Sequence, residues 1–403
     1  MQKVASLDTL PAGETDPGNS HIPYSRQQIG AADIAAVTDV LTSDYLTQGP
    51  AGPAFETAFA ARHAVAHAVA VSNATAALHI GCMALGIGPG SRVWTSPISF
   101  VASANCALFC GAQVDFVDID PATRNMSVEA LRAKLELAEA KGTLPDLLIP
   151  VDFAGFPCDL AEMRSLADLY GFRILQDASH ATGAEYRGSP VGSHYADACV
   201  FSFHAVKIVT AAEGGMIVTQ DDALAERLRL LRSHGVTRDP DVMERPDEGA
   251  WHYEQTALGY NYRLTDLQAA LGLSQLRQMD EWRSARAELA ARYDRLFADA
   301  PLRLPAQQPD RKSAWHLYAV EIDAERAPPR KAVFDAMRAA NIGVNVHYIP
   351  IHTQPYYARL GFSQGDFPAA EAYYARALSL PLFPALSAQQ QDRVADTLLK
   401  LVE

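Results

Sequence analysis

FSFHAVKIVTAAEGGMIVT, residues 201–219, sets one lysine, Lys207, between two apolar strand-like runs. ADACVFSF leads into it, and a Glu-Gly-Gly turn and GMIVTQ follow. Burying a lone amine is costly, because desolvation disfavours its charged form. Such a lysine is either a solvated loop residue or an amine with a lowered pKa, of the kind that forms Schiff bases. The rest of the chain has to decide between them.

Outward from this stretch, residues 66–220 alternate strand-like and helix-like runs. The strand candidates are HAVAVS, RVWTS, QVDFVDI, DLLIPVDF, FRILQDA, ADACVFSF and GMIVTQ. Between the first six lie NATAALHIGCMAL, SFVASANCALFC, SVEALRAKLELAEA and DLAEMRSLADLY, all helix-like. This rhythm predicts an α/β fold with a mainly parallel seven-stranded sheet covered by helices on both faces. GMIVTQ follows its predecessor too closely for a crossover, so it is expected to be antiparallel. From Leu264 onward, LTDLQAALGLSQLRQMDEWRSARAELAARYDRLFADA reads as one long helix or two consecutive ones. Beyond it, WHLYAVEI and IGVNVHYI are expected strands bracketing the helix RKAVFDAMRAAN, and SAQQQDRVADTLLKLVE closes the chain as a helix. The expected organisation is a flexible lead-in over 1–20, a large domain over 21–275 and a smaller C-terminal α/β domain over 276–403. Residues 237–263 lack periodicity and are candidates for site or interface work.

Composition narrows the function classes. The chain has 403 residues, 49% of them hydrophobic, with a formal net charge of −13. That balance argues against a nucleic-acid binder, though a local pocket can still hold an anion. Cys82, Cys106, Cys110, Cys158 and Cys199 include no CxxC pair and no zinc-finger spacing, so no metal site is expected. They read as buried thiols of a reducing compartment. The N-terminus has no apolar signal core, and the most apolar stretch, 64–87, is broken by polar residues. A cytoplasmic protein with no membrane partner is expected.

In open parallel sheets ligands bind at the carboxyl ends of the strands. There the sequence places Ser72-Asn73-Ala74-Thr75 after the first strand, either an ordinary helix cap or an anion site made of backbone N–H groups. Phe100 follows the second strand and either stacks on a flat ring or fills core. Asp177 ends the fifth, as a cation partner or a turn residue, and Ser202, His204 and Lys207 end the sixth. Neither GxGxxG nor a P-loop is present, and Ser202 lacks the GxSxG elbow that a Ser202–His204–Asp177 hydrolase would need.

In order and spacing, IPYSRQ, LTQGP, AVSNATAALH, FVDIDP, QDASHA, FSFHAVK with EGG, GYNYRLTDLQAALG and VHYIPIHTQPYY carry a resemblance. The chain resembles the DegT family of nucleotide-sugar aminotransferases, fold type I pyridoxal-phosphate enzymes. The resemblance implies pyridoxal 5'-phosphate as cofactor, with Lys207 as the Schiff-base lysine and Asp177 as partner of the pyridine nitrogen. It implies Phe100 on the ring face, His180 beside the ring, and the phosphate held by Ala74, Thr75 and Ser202. Asn261 would reach that phosphate from the partner subunit of a homodimer. Gln176 stands where the family often has Glu, and Ala74 where it often has Gly. The family's dehydratases have His in place of the lysine, so Lys207 favours transamination.

Within the family, WTSPISFVASANCALFCGAQVDFVDIDP, RLLRSHGVTRDP and NVHYIPIHTQPYY resemble the UDP-4-amino-4,6-dideoxy-N-acetyl-β-L-altrosamine transaminases of pseudaminic acid biosynthesis. The implied substrates are a UDP-linked 4-keto-6-deoxy-N-acetylhexosamine and L-glutamate. Transaminases making 4-amino-4-deoxy-arabinose are the alternative. Tyr348, His347 and His352 lie where family members meet the nucleotide sugar, and Arg26, Arg238 and Arg263 are candidates for its diphosphate. A pyridoxal-phosphate-binding regulator without turnover is the non-enzymatic alternative.

Overall fold

The computed structural model describes residues 20–245 and 248–403, so the expected lead-in, except for Ser20, lies outside the described residues. Seven strands form the large sheet: β1 His67–Val71, β2 Arg92–Thr95, β3 Gln113–Phe116, β4 Leu147–Ile149, β5 Arg173–Asp177, β6 Ala198–Ser202 and β7 Gly215–Thr219. Their order is β1-β7-β6-β5-β4-β2-β3. β7 is antiparallel to both neighbours, and the other pairings are parallel. The sequence expectation for GMIVTQ therefore holds, and the physical reason is the short Lys207 turn, which leaves no room for a crossover.

Alternate residues on these strands feed two faces. Val200 and Ile217 join Val69, Leu78, Ile80 and Leu175 under α3 (Ala74–Ala84) and α4 (Ala102–Phe109). Cys199, Phe201, Met216 and Val218 join Phe55, Phe59 and Ala269, carried by α2 (Ala51–His63) and α8 (Asp266–Leu276). Both α1 (Ala31–Leu41) and α2 pack on α8. Further along the second face, Leu131 and Met163 of α5 (Val128–Lys141) and α6 (Leu160–Tyr170) cover Trp94, Leu148 and Ile174. At the β1 side, α7 (Asp222–Arg232) adds Leu224 and Leu228 to the first face.

The run from Leu264 divides into two helices. Thr265 caps α8 with a capping box, and the chain turns at Arg277-Gln278 into α9, Met279–Leu296. A second core then gathers around a three-stranded antiparallel sheet of β8 Leu302–Arg303, β9 Tyr318–Ile322 and β10 Ala377–Leu380, ordered β8-β9-β10. Tyr318, Val320 and Leu378 pack there with Tyr293 of α9, Met337 of α10 (Arg330–Ala339) and Leu398 of α11 (Ala388–Val402). One expectation fails: IGVNVHYI is not a strand. It makes only the isolated bridges Ile342 to Ile22 and Asn345 to Ser379, because β10 occupies the edge of β9. Among the described residues of 237–263 the expected irregularity is real, relieved by the two-residue pairing of Val236–Thr237 with Glu254–Gln255 and by isolated bridges from Asn261 to Ser233 and from Arg263 to Val71.

Candidate active site

Asp177 is the last residue of β5 and is almost wholly buried. Ser103 Oγ donates to its Oδ2 at 2.6 Å, while Ser179 donates to Oδ1 through Oγ at 2.6 Å and N–H at 3.1 Å. Ser99 Oγ lies 2.7 Å from Ser103 Oγ. On the next strand over, the turn after β6 carries Lys207, whose backbone N–H donates to the His204 carbonyl at 2.9 Å. Desolvation pulls the Lys207 amine from an ordinary 10.5 down to about 7, and the Asp177 carboxylate opposes that pull. Lys207 is only partly accessible, and its desolvation makes its charge costly, which favours the amine with a lowered pKa over the solvated loop residue.

Three histidines share this neighbourhood. Burial comes first in holding His180 and His316 well below 6.5 and His347 down to about 4, and the Lys207 charge adds to each. The Ala154 N–H donates to His180 Nδ1 at 3.3 Å, which leaves the proton on Nε2; that nitrogen donates to the Tyr348 hydroxyl at 3.1 Å. His316 lies with its ring centre 4.4 Å from that of His180, the planes tilted by 45°, and its buried Nδ1 has no hydrogen-bond partner among the described residues. His347 Nδ1 donates to Ser379 Oγ at 2.8 Å, and its ring lies 5.8 Å from that of Tyr24. The next residue, Ser25, bonds the Val206 carbonyl at 3.4 Å, so the 24–26 segment lines the Lys207 turn.

At the head of α3, Asn73 is both cap and turn: its side chain accepts from Ala76 N–H at 2.8 Å. The first helical positions, Ala74 and Thr75, have N–H groups with no intrahelical acceptor. A Cβ on Gly215 would meet the Asn73 carbonyl carbon at 2.6 Å and the Ala74 nitrogen at 2.7 Å. The second glycine of the Glu-Gly-Gly turn thus lets β7 approach the start of α3, beside Ser202 at the end of β6. Phe100 is 60% exposed, so it does not fill core. Asn261 is exposed, and its backbone bridges Ser233. Arg26 and Arg238 are exposed, while Arg263 is half-buried with its backbone paired to Val71.

Some sequence candidates lie in other surroundings. His352 is wholly buried against Phe367 and Phe116, with Nε2 on Glu371 at 2.9 Å. His204 is exposed, 3.9 Å from Glu213, and only its backbone N–H approaches Ser202 Oγ, at 3.4 Å. The hydrolase arrangement is therefore not assembled. Gln176 donates to Asp152 Oδ2 at 2.6 Å. Asp152 is itself pushed up to about 7 by burial, so a second carboxylate at 176 would stand against the first. Of the cysteines, all are free and four are buried, but Cys110 is partly exposed, against expectation. His316, Ser99, Ser103, Ser179 and Tyr24 escaped the sequence reading. Only the position of His316, at the head of the strand-like WHLYAVEI, offered a signal.

A desolvated amine, a carboxylate bonded on both oxygens, an accessible aromatic ring and a helix start opened by a glycine together fit a phosphorylated pyridine aldehyde. Fold and site define a fold type I pyridoxal-phosphate aminotransferase. The chain is similar over 389 residues, 96% of its length and 98% of the relative's, to the spore coat polysaccharide biosynthesis protein SpsC of Bacillus subtilis, at 40% identity. It superposes on Helicobacter pylori PseC, an aminotransferase involved in the biosynthesis of pseudoaminic acid, with a TM-score of 0.87 at 32% identity, covering 95% of this chain and 99% of that one. The PLP form of the putative sugar aminotransferase Spr1654 from Streptococcus pneumoniae matches with a TM-score of 0.84 at 28% identity, covering 95% and 98%. Residues 27–399 match the DegT/DnrJ/EryC1/StrS aminotransferase family, and the chain belongs to it. It is a sugar aminotransferase, and its cofactor is pyridoxal 5'-phosphate.

Proposed function

We propose that the protein transfers an amino group from L-glutamate to C4 of a UDP-linked 4-keto-6-deoxy-N-acetylhexosamine, a step toward pseudaminic acid. The observation that carries the chemistry is the Lys207 amine, lowered to about 7 and facing the charge of Asp177. The sugar is supported by the likeness to PseC along 95% of the chain. Bound pyridoxal phosphate supplies the carbonyl that receives the amino group and a ring that takes up carbanion charge. Lys207 Nζ would hold that cofactor between turnovers. With the donor bound, Nζ would take the donor's α-proton and give it back as general acid, and would move the corresponding proton in the opposite sense for the sugar. Asp177 keeps the proton on the pyridine nitrogen. Phe100 covers the ring, and His180 lies at its edge as a neutral imidazole whose two nitrogens are held by the Ala154 N–H and the Tyr348 oxygen. The Ala74 and Thr75 N–H groups and the Ser202 hydroxyl take the phosphate.

The active unit in this reading is a homodimer, with Asn261 completing the partner's phosphate site. Exposed Ile34, Leu41, Tyr45, Leu46 and Leu258 offer the apolar area for that contact. Tyr348 and His347 shape the sugar side, whereas His352 is buried on Glu371 against Phe116 and Phe367. Arg26 is favoured for the diphosphate over Arg238 and Arg263, because Ser25 ties its segment to the Lys207 turn. The 40% identity to SpsC supports a second reading, a different nucleotide-linked keto sugar destined for a polysaccharide. Incubating the enzyme with L-glutamate and a panel of UDP-4-keto sugars, with mass detection of the amino sugar, tests both. Amination of the 6-deoxy-N-acetyl sugar is expected. Turnover of a UDP-4-keto-pentose alone would overturn the first reading, and equal turnover by Lys207→Ala would overturn both.

A further inference from the structure

Asp177 stands at the centre of a small network of serines. Its Oδ1 accepts from the Ser179 hydroxyl and N–H, and its Oδ2 accepts from Ser103 Oγ at 2.6 Å. Ser103 is 1% exposed and Ser99 4%, and their hydroxyls lie 2.7 Å apart. A serine has one hydroxyl proton. An ionised carboxylate only accepts, so the Ser103 proton points to Asp177. The Ser99 proton must then point to Ser103, which gives the chain a direction: Ser99 to Ser103 to Asp177. Both serines come from the stretch ISFVASANC at the head of α4, immediately around Phe100. One short segment thus brings an accessible aromatic ring and a buried hydroxyl relay to the same place.

We propose that Ser103, oriented by Ser99, is a positioning residue that fixes the rotation of the Asp177 carboxylate. The inference rests on Asp177 being the partner of the pyridine nitrogen. A carboxylate bound only by Ser179 is held through one oxygen and can swing about its last torsion. Bound through both, it presents a fixed lone pair to the ring nitrogen. Preorganisation of this kind acts on the proton held at that nitrogen and leaves recognition of the donor and the sugar alone.

The test uses holoenzyme reconstituted with pyridoxal phosphate labelled with 15N in the ring, comparing wild type, Ser103→Ala, Ser99→Ala and Asp177→Asn. In Ser103→Ala the ring 15N resonance should move toward the neutral-pyridine position. kcat should fall roughly ten- to a hundredfold, the range carried by one hydrogen bond to a charged group, with KM for glutamate changed less than about threefold. Ser99→Ala should move the same way by a smaller step. If Ser103→Ala does not fold, Ser103→Cys, close in size but a weak donor, should shift the resonance in the same direction. An unchanged resonance in Ser103→Ala or Ser103→Cys, with Asp177→Asn shifted, overturns the serine assignment alone. An unchanged resonance in Asp177→Asn overturns the pyridine role of Asp177 and this inference with it.

Discussion

Gly215→Ala tests whether the head of α3 is a phosphate cradle. The added methyl would sit 2.6 Å from the Asn73 carbonyl carbon and 2.7 Å from the Ala74 nitrogen, where ordinary contact begins near 3.4 Å. The shortest overlap is 3.4 − 2.6, about 0.8 Å, and it falls on backbone that cannot rotate away. Either β7 or the first turn of α3 has to move. β7 is hydrogen-bonded on both sides by β1 and β6, so the helix start is the softer partner. Overpacking of this size costs about 1–3 kcal/mol of stability. Shifting the Ala74 and Thr75 N–H groups by a similar distance weakens about one charge-assisted hydrogen bond to phosphate, raising the cofactor dissociation constant about tenfold or more. Gly214→Ala is the control, because the nearest atoms to its methyl are side-chain atoms of Ala211 and Phe203 at 3.3 Å. It should lose some stability and keep its cofactor affinity. Urea melts of the apo forms and absorbance titration with pyridoxal phosphate give both quantities. Unaltered cofactor affinity in a folded Gly215→Ala protein would refute the cradle.

Other perturbations probe the rest of the site and its frame. Because the Lys207 amine is lowered to about 7, cofactor capture by the apo protein should speed up about tenfold per pH unit below that value and level off above it; stopped-flow absorbance that kept climbing to pH 10 would contradict it. The same shift sets a sign for stability: between about 7 and 10.5 the unfolded chain still holds the proton that folded Lys207 has lost, so this group's destabilising effect is relieved as pH rises through that window. Asp177→Ala should lose far more single-turnover rate than Ser202→Ala, since in the proposed site one side chain acts on the reacting ring and the other on the phosphate; comparable losses would count against the pyridine role. Glu321 is buried between Arg124 and Arg376, with both ion pairs at 3.0 Å, so Glu321→Gln strands Arg124 and should cost about 3–5 kcal/mol in a urea melt; a loss below about 1 kcal/mol would show that the Leu304 carbonyl, 3.1 Å from Arg124, suffices alone.

The large sheet was readable because most of its strands are buried on both faces and therefore rich in apolar residues, the partly exposed edge strand Gln113–Phe116 excepted. Even the odd direction of β7 followed from the length of one connection. The small sheet was not readable in the same way. IGVNVHYI has the composition of a strand, yet β10, whose sequence ALSL lies within a helix-like run, pairs with Tyr318–Glu321 instead. Leu378 and Leu380 of β10 share one core with Met337 and Leu398, but so do Ile342 and Val344 of IGVNVHYI, so local apolar pattern does not tell the two runs apart. The site divides similarly. Asp177 and Ser202 end strands, Lys207 follows one, and all three stood out, whereas Ser103 and His316 matter through what they meet across long sequence separations. Serines at 99 and 103 resemble any helix start until Asp177 is brought to them.

The electrostatics around Lys207 follow from having one carboxylate for one amine. Lys207 interacts with Asp177, and its charge bears on His180, His316 and His347. A second cation in that volume would carry the same desolvation cost with no further counter-charge, so the imidazoles have to be neutral. Neutrality then fixes direction. The Ala154 N–H takes His180 Nδ1, Nε2–H is spent on the Tyr348 oxygen, and the Tyr348 hydroxyl proton is left to donate elsewhere. Burial raises the pKa of that phenol, which keeps the proton in place through the working range of the amine. In the proposed mechanism Lys207, its amine lowered to about 7, would be the proton carrier, while Tyr348 would keep its proton as a fixed donor. Transamination needs both properties: one group that gives and takes a proton, and a fixed donor that keeps the reacting groups in register while it does so.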